Sequence, residues 1–420
     1  MVIIYNLIFL LFALINLPVY LLKGKFHKGF SARFGKLPKD LFLDKPIWVH
    51  AVSVGEALAA AGLIEELRRS YPAKKFVIST VTPTGNKLAN KCAKAGDLVT
   101  YLPFDLSWII SSVIDRIDPS LFVIAETEIW PNLIRYLHSK HIPVVIVNGR
   151  ISDKSLKGYL AIKSILSPTL RRIDLFLAQT GLDAERFKAI GSPEDRVKVT
   201  GNMKFDNADS FQVESPDKTR SLLGLKPQDL LFTAASTHPG EEKIILSVYK
   251  ELLAESPGLR LLIAPRHPER AHEIFGLAKK SGFDSARITK LHEGLPTNAN
   301  TVFILDTIGQ LLNFYNASEI VFVGGSLIKK GGHNILEPAA LAKPIVFGPN
   351  MFNFRDMADL FLKNKAAIMV QDGIELKACI ADLLKDAKGA REMAGRAKQL
   401  IRDNQGATLR NIKEISLLLK

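Results

Sequence analysis

Glu56 ends the motif Ser53-Val54-Gly55-Glu56, which follows the apolar run Ile47 to Val52 and precedes Ala57-Leu58-Ala59-Ala60-Ala61, a strong helix former. The residue therefore falls on a turn or first helical turn, where the helix dipole favours the ionised carboxylate. An ionised, oriented carboxylate is what a general base for a hydroxyl nucleophile requires, although an acid that merely caps its own helix would occupy the same place. A second apolar run, Leu121 to Ala125, leads into Glu126-Thr127-Glu128-Ile129-Trp130-Pro131-Asn132. Its two carboxylates suit a divalent cation, a sugar hydroxyl or the cap of the helix that begins near Pro131. No other acid or histidine cluster lies near them in sequence and no Asp-x-Asp pair occurs, so a metal-free mechanism is expected.

The second half places different chemistry after its apolar runs. Ser236-Thr237-His238-Pro239-Gly240-Glu241-Glu242 and Pro265-Arg266-His267-Pro268-Glu269-Arg270 put hydroxyl, imidazole and guanidinium groups on strand-to-helix turns. Arg266 can form paired bonds to a phosphate or carboxylate, and a nearby helix N-terminus adds N–H donors. Gly324-Gly325-Ser326-Leu327 and Gly331-Gly332-His333-Asn334-Ile335-Leu336-Glu337 combine glycines for close backbone approach with a carboxylate suited to a ribose diol. The fingerprints of dinucleotide oxidoreductases, P-loop NTPases, zincins and α/β-hydrolases are absent.

The elements that must position these groups follow a recurring rhythm, in which short β-branched runs at 47, 75, 121 and 144, then at 230, 259, 301, 320 and 344, alternate with amphipathic stretches. Parallel sheets with crossover helices have this pattern. The expected organisation is an α/β domain over residues 23–205, a polar linker over 206–220, a second α/β domain over 221–388 and a helical segment over 389–420 broken at Gly406. Residues 1–22 carry no charged side chain and would cover about 33 Å as a helix, so a membrane anchor is expected there. A spanning helix and an interfacial one are both compatible with Asn6, Asn16 and Pro18. Lys23, Lys25, Lys28, Arg33, Lys36 and Lys39 follow, which places the body of the chain on the cytoplasmic face. With 56 Lys and Arg against 42 Asp and Glu, the net charge of +14 favours anionic partners such as membrane lipids. The basic residues are scattered and not interleaved with aromatics, which argues against nucleic acid.

Together VHAVSVGEALAA, TVTPTG, AETEIWPNL, NGRISDKS, GNMKFD, STHPGEE, PRHPER, DTIGQL, FVGGSLIKKGGHNILEPAA and NQGA resemble, in order and spacing, the Kdo (3-deoxy-D-manno-octulosonic acid) transferases of lipopolysaccharide assembly. The resemblance implies a GT-B glycosyltransferase with two Rossmann-like parallel-sheet domains facing a cleft, attached to the cell inner membrane. It also implies transfer of Kdo from CMP-Kdo to the lipid A disaccharide precursor (lipid IVA) with inversion and no metal cofactor. Glu56 would accept the proton, and Glu128 and Lys204 would stabilise the transition state. CMP would be held by Pro265, Arg266, Ile308, Gly309, Gln310, Asn334, Ile335, Leu336 and Glu337. Two positions depart from the family pattern: Gln310 stands where Glu is common, and Asn350 where His is common. The nearest rival on sequence is a membrane-associated GT-B transferase that uses a UDP-sugar.

Overall fold

The computed structural model describes residues 2–22, 29–52, 54–206, 208, 213–291, 298 and 300–419. Ser53, the basic residues Lys23, Lys25 and Lys28, and residues 207 and 209–212 of the expected linker lie outside the described residues. The chain forms two compact units, Met1–Asn207 with Asn404–Lys420, and Ala208–Asp403.

The first unit is built on a parallel sheet of β1 (Ile47–His50), β2 (Phe76–Thr80), β3 (Leu98–Tyr101), β4 (Leu121–Ala125), β5 (Val144–Gly149), β6 (Leu175–Ala178) and β7 (Val197–Val199), in the order β3-β2-β1-β4-β5-β6-β7. Alternate side chains point to opposite faces: Trp48, Val77, Phe122 and Ile124 enter one core, Ile47, Val49, Ile78 and Val123 the other. Helices cover both faces, so the central strands are buried on both sides and show no in/out alternation, with polar residues such as His50, Ser79 and Asn148 only towards their carboxyl ends. The chain terminus returns to this unit. After the helix Ala387–Asn404, Gly406 adopts a left-handed turn at φ 87°, and its N–H and that of Thr408 donate to the Asp206 carboxylate, both at 2.6 Å. Ala407 and Ile415 of the last helix then pack in the same core as Leu63 and Leu67.

The second unit repeats the plan with β8 (Leu230–Thr237), β9 (Leu259–Pro265), β10 (Asp284–Arg287), β11 (Thr301–Ile304), β12 (Ile320–Val323), β13 (Ile345–Phe347) and β14 (Ile368–Met369), ordered β10-β11-β9-β8-β12-β13-β14. All its pairings are parallel.

Of the two forms of anchor left open above, the structure does not show a spanning one. Val2–Leu22 is helical, but among the described residues no helix is long and apolar enough to cross a membrane. One face of this helix is instead docked on the first unit. Asn6 is buried, donates to Ser107 Oγ at 2.8 Å and accepts from Asn132 Nδ2 at 2.8 Å, while Phe9 meets the Phe104 ring edge-on. Ile3, Ile4, Leu7, Ile8, Leu11 and Leu14 on the rest of the surface are exposed. Arg33, counted above with the basic flank, is buried with its guanidinium 4.6 Å from the centre of the Phe104 ring, and so is withdrawn from any surface role.

Candidate active site

The strand order of the first sheet reverses between β1 and β4, which opens a crevice beyond their carboxyl ends, the usual ligand position in such sheets. Glu56 enters from β1. It lies in the first turn of the helix Val54–Ser70, half-buried, and its Oε2 accepts the Val52 N–H at 2.6 Å. The same bond that caps the helix holds this carboxylate in one orientation at the end of β1.

Glu126 and Glu128 enter from β4 and diverge. Glu126 has φ 62°, a left-handed conformation that costs a non-glycine residue about 1–3 kcal/mol. Its Oε1 is 2.7 Å from Lys204 Nζ. The segment carrying Lys204 is fixed from β5, where Asn148, also left-handed at φ 53°, accepts the Met203 N–H at 3.0 Å. Asn202 Oδ1 accepts the N–H of Lys204 itself at 3.0 Å. Two strained residues at adjacent strand ends therefore set one lysine against one carboxylate.

Glu128 Oε2 accepts the indole N–H of Trp130 at 2.9 Å and lies 3.7 Å from His50 Nε2. The loop between is pinned by Thr127, whose hydroxyl donates to the Arg150 carbonyl at 2.7 Å and accepts the Arg150 N–H at 3.1 Å. Just after it, the buried Asp105 carboxylate accepts the N–H groups of Asn132 and Leu133 at 3.0 and 2.8 Å and anchors the helix Pro131–Ser139. Burial pushes the Asp105 pKa up against these donors and that of Tyr5. Nearby, the Tyr159 phenol is pushed up by burial and then by the charge of Glu128.

In the second sheet the order reverses between β8 and β12. The glycines after β12 serve an internal carboxylate: fully buried Glu241 accepts N–H bonds from His238, Gly325, Ser326 and Leu327 at 2.7 to 3.1 Å. Burial still raises its pKa. A Cβ on Gly324 would come within 2.8 Å of the Ser236 carbonyl oxygen. At the mouth, His238 Nε2 and His333 Nε2 are 2.9 Å apart with their rings parallel within 6°. Burial, then Arg266 and two further histidines, lower His333 to about 4, and burial first, then Lys330, lowers His238. The pair is therefore neutral near pH 7 within a cationic surround.

The residues assigned above to CMP follow three strands of this sheet. Pro265 ends β9, with Arg266 exposed beside it. After β11, Ile308 is 87% exposed, Gly309 is left-handed at φ 89° and Gln310 Oε1 accepts the Thr307 hydroxyl at 2.6 Å. After β12, Asn334 Nδ2 donates to Glu337 at 3.2 Å. Burial raises the Glu337 pKa, and Asn334 and Arg266 pull it back. Ile335 and Leu336 are buried, and the Leu336 N–H is taken by Asn334 Oδ1 at 3.1 Å, so these two shape the loop and present no side chain to a ligand. Asn350 bonds the Ser326 carbonyl through both its N–H and its side-chain amide, at 2.9 and 3.0 Å, which gives that departure a structural role.

His50, Ser79, Trp130, Glu241 and the His238–His333 pair were not singled out by role from sequence. For His50 a signal existed: an imidazole ending an otherwise apolar strand run. Among the described residues no group of three or more His, Cys, Asp or Glu is placed to hold a metal ion.

Residues 28–207 match the family described as 3-Deoxy-D-manno-octulosonic-acid transferase (kdotransferase). The 3-deoxy-D-manno-octulosonic acid transferase of Haemophilus influenzae is 37% identical over 368 residues, 87% of this chain and 85% of that protein. That of Rickettsia felis is 31% identical over 350 residues, 83% and 74% of the two chains. Among solved structures, a glycosyltransferase from Rickettsia africae is 14% identical, covering 90% of this chain and 98% of its own, with a TM-score of 0.58; at that identity the likeness is one of fold.

Proposed function

The chain belongs to the 3-deoxy-D-manno-octulosonic acid transferase family, and we propose on that premise that it moves Kdo from CMP-Kdo to the disaccharide lipid A precursor with inversion at the anomeric carbon. The observation that carries this reading is the convergence of Glu56, Glu128 and the Lys204–Glu126 pair on the switch point of the first sheet. The acceptor hydroxyl oxygen forms a bond to the anomeric carbon as the carbon–oxygen bond to CMP breaks, and the hydroxyl proton passes to Glu56. The Glu128 carboxylate stabilises positive charge growing on the sugar ring. Lys204 offsets the anionic groups of the donor, which carries a carboxylate and a phosphate.

In the second unit Arg266 takes the phosphate, Asn334 and Glu337 the nucleoside, and Ile308 offers apolar surface to the base. Gln310 bonds CMP through its backbone, a role for which an amide serves as well as a carboxylate. Basic side chains balance a leaving monophosphate, so activity is expected to survive EDTA. The helix Val2–Leu22 lies in the interface of an anionic bilayer, its docked face on the protein and its apolar face in lipid. Incubating purified protein with CMP-Kdo and lipid A precursor, followed by mass analysis of the lipid, tests the reading and counts the Kdo residues added. A lipid of unchanged mass would refute it.

A further inference from the structure

The last residue of β1 is a histidine in a strand that is otherwise apolar, and it is fully buried. His50 lies opposite Ser79 in the β1–β2 register, with Nδ1 2.9 Å from Ser79 Oγ and 3.1 Å from the Ser79 carbonyl oxygen. Ser79 Oγ also accepts the indole N–H of Trp48 at 2.8 Å. The other ring nitrogen, Nε2, is buried without a hydrogen-bond partner and faces Glu128 Oε2 at 3.7 Å. A polar atom kept in this state inside a packed sheet needs a reason.

Counting protons narrows the choice. One of the two lone pairs of the Ser79 hydroxyl is given to Trp48, which leaves it one lone pair and one proton to offer Nδ1. If that proton goes to Nδ1, the ring carries its hydrogen on Nε2, aimed at the Glu128 carboxylate. If instead Nδ1–H donates to Ser79, a lone pair on Nε2 faces a carboxylate oxygen. The first arrangement is attractive at Glu128 but sets a bare Nδ1 against the Ser79 carbonyl oxygen, and the second reverses both contacts; with the imidazole sealed from water, the contact with a charged carboxylate outweighs the one with a neutral carbonyl. The Glu128 charge thus selects the tautomer that presents an Nε2–H, and the Ser79 hydroxyl supports it by donating to Nδ1 while it accepts the Trp48 indole N–H.

We infer that His50 is a positioning residue for Glu128, held in the Nε2–H form by the Glu128 charge with the support of Ser79 and Trp48. This inference rests on the role proposed above for Glu128. Oε2 receives the indole N–H of Trp130 and, on closing by a little under about 1 Å, the imidazole N–H as well. Hydrogen bonds of this kind are often long in the free enzyme and tighten with substrate bound. Two ring donors on one oxygen fix the carboxylate plane and leave Oε1 to face the transferring sugar.

Ser79→Ala tests this, because Nδ1 is then left with only a backbone carbonyl, which an Nδ1–H alone can bond, and the lone pair of Nε2 turns towards Glu128. The expected result is a fall in kcat of about ten- to a hundredfold with KM for CMP-Kdo nearly unchanged, and partial recovery in Ser79→Thr, which keeps the hydroxyl. In a Glu128→Gln background, Ser79→Ala should cost less than about threefold, because the pair is already uncoupled. Should thermal unfolding reveal that Ser79→Ala is not folded, His50→Gln, which keeps a donor near the Nε2 position, is compared with His50→Asn, which does not. The Gln variant should be the faster by about tenfold. Wild-type kcat in folded Ser79→Ala, equal rates for the Gln and Asn variants, or a Ser79→Ala loss that is undiminished in the Glu128→Gln background would overturn the assignment of His50. Wild-type turnover in Glu128→Gln alone would instead remove the role proposed for Glu128.

Discussion

Lys204 Nζ sits 2.7 Å from Glu126 Oε1, so the lysine is paired with the residue whose backbone is left-handed and not with Glu128 two residues on. Both partners are partly exposed, and the pair serves to place a charge more than to stabilise the fold. Lys204→Ala should lower kcat by about a hundredfold, since it removes a cation from the reacting anions. Glu126→Gln should lower it by about tenfold, since Lys204 keeps its charge and loses only its tether. Equal losses in steady-state kinetics would mean that Glu126 has a chemical role of its own.

Arg266→Ala and Glu337→Ala should each weaken CMP binding by tens of fold in calorimetry, the worth of a hydrogen bond to a charged group. Wild-type protein should be protected from thermal unfolding by CMP and not by UDP. Protection by UDP alone would favour a UDP-sugar donor.

His333 also predicts a pH dependence. Its pKa is depressed to about 4 from a normal 6.5, so between those values the unfolded chain binds more protons than the folded one. This contribution therefore destabilises the fold progressively as pH falls from about 6.5 towards 4 and has no effect above that window. His333→Asn should flatten that part of the melting-temperature profile relative to wild type, and an unchanged profile would contradict the lowered pKa.

The helix Val2–Leu22 makes two separable contributions. Asn6→Ala should cost about 1–3 kcal/mol of first-unit stability, because Asn132 and Ser107 are left short of partners. Leu7→Glu with Leu11→Glu should leave the melting temperature near wild type and abolish flotation with anionic vesicles, because both side chains are exposed. Vesicle binding by the double variant would place the membrane contact elsewhere.

Much of this molecule was legible from residue patterns because its central strands are buried on both faces. The runs from Ile47, Leu121, Val144, Leu230, Leu259 and Ile320 became β1, β4, β5, β8, β9 and β12. Strands nearer the edges were harder to see: β10 reads Asp-Ser-Ala-Arg, and β7 is three residues with a lysine at its centre, so neither has the apolar content that marks an interior strand. The Val2 helix shows the opposite limit. Its composition describes a lipid-facing surface, and nothing in it announces that Asn6 finds Asn132 more than a hundred residues away. Likewise Gly324 and Gly325 suit the close approach of a ligand, yet the Gly325 N–H donates to Glu241 of the same chain and that of Gly324 to the Ala235 carbonyl. Spacing identified Glu56 as an acid on a first helical turn, while the tether of Lys204 to Glu126 depends on backbone strain that only the folded strand ends impose.

The most direct test of the account is the rate of Kdo transfer to lipid A precursor by Glu56→Gln, measured beside its affinity for CMP. The substitution keeps the size of the side chain and removes its basicity, so the rate should fall by about 100- to 10,000-fold while CMP affinity stays near that of wild type. A variant that retains more than about a tenth of the wild-type rate, well outside the range for loss of a general base, would contradict the assignment of Glu56 and with it the mechanism proposed here.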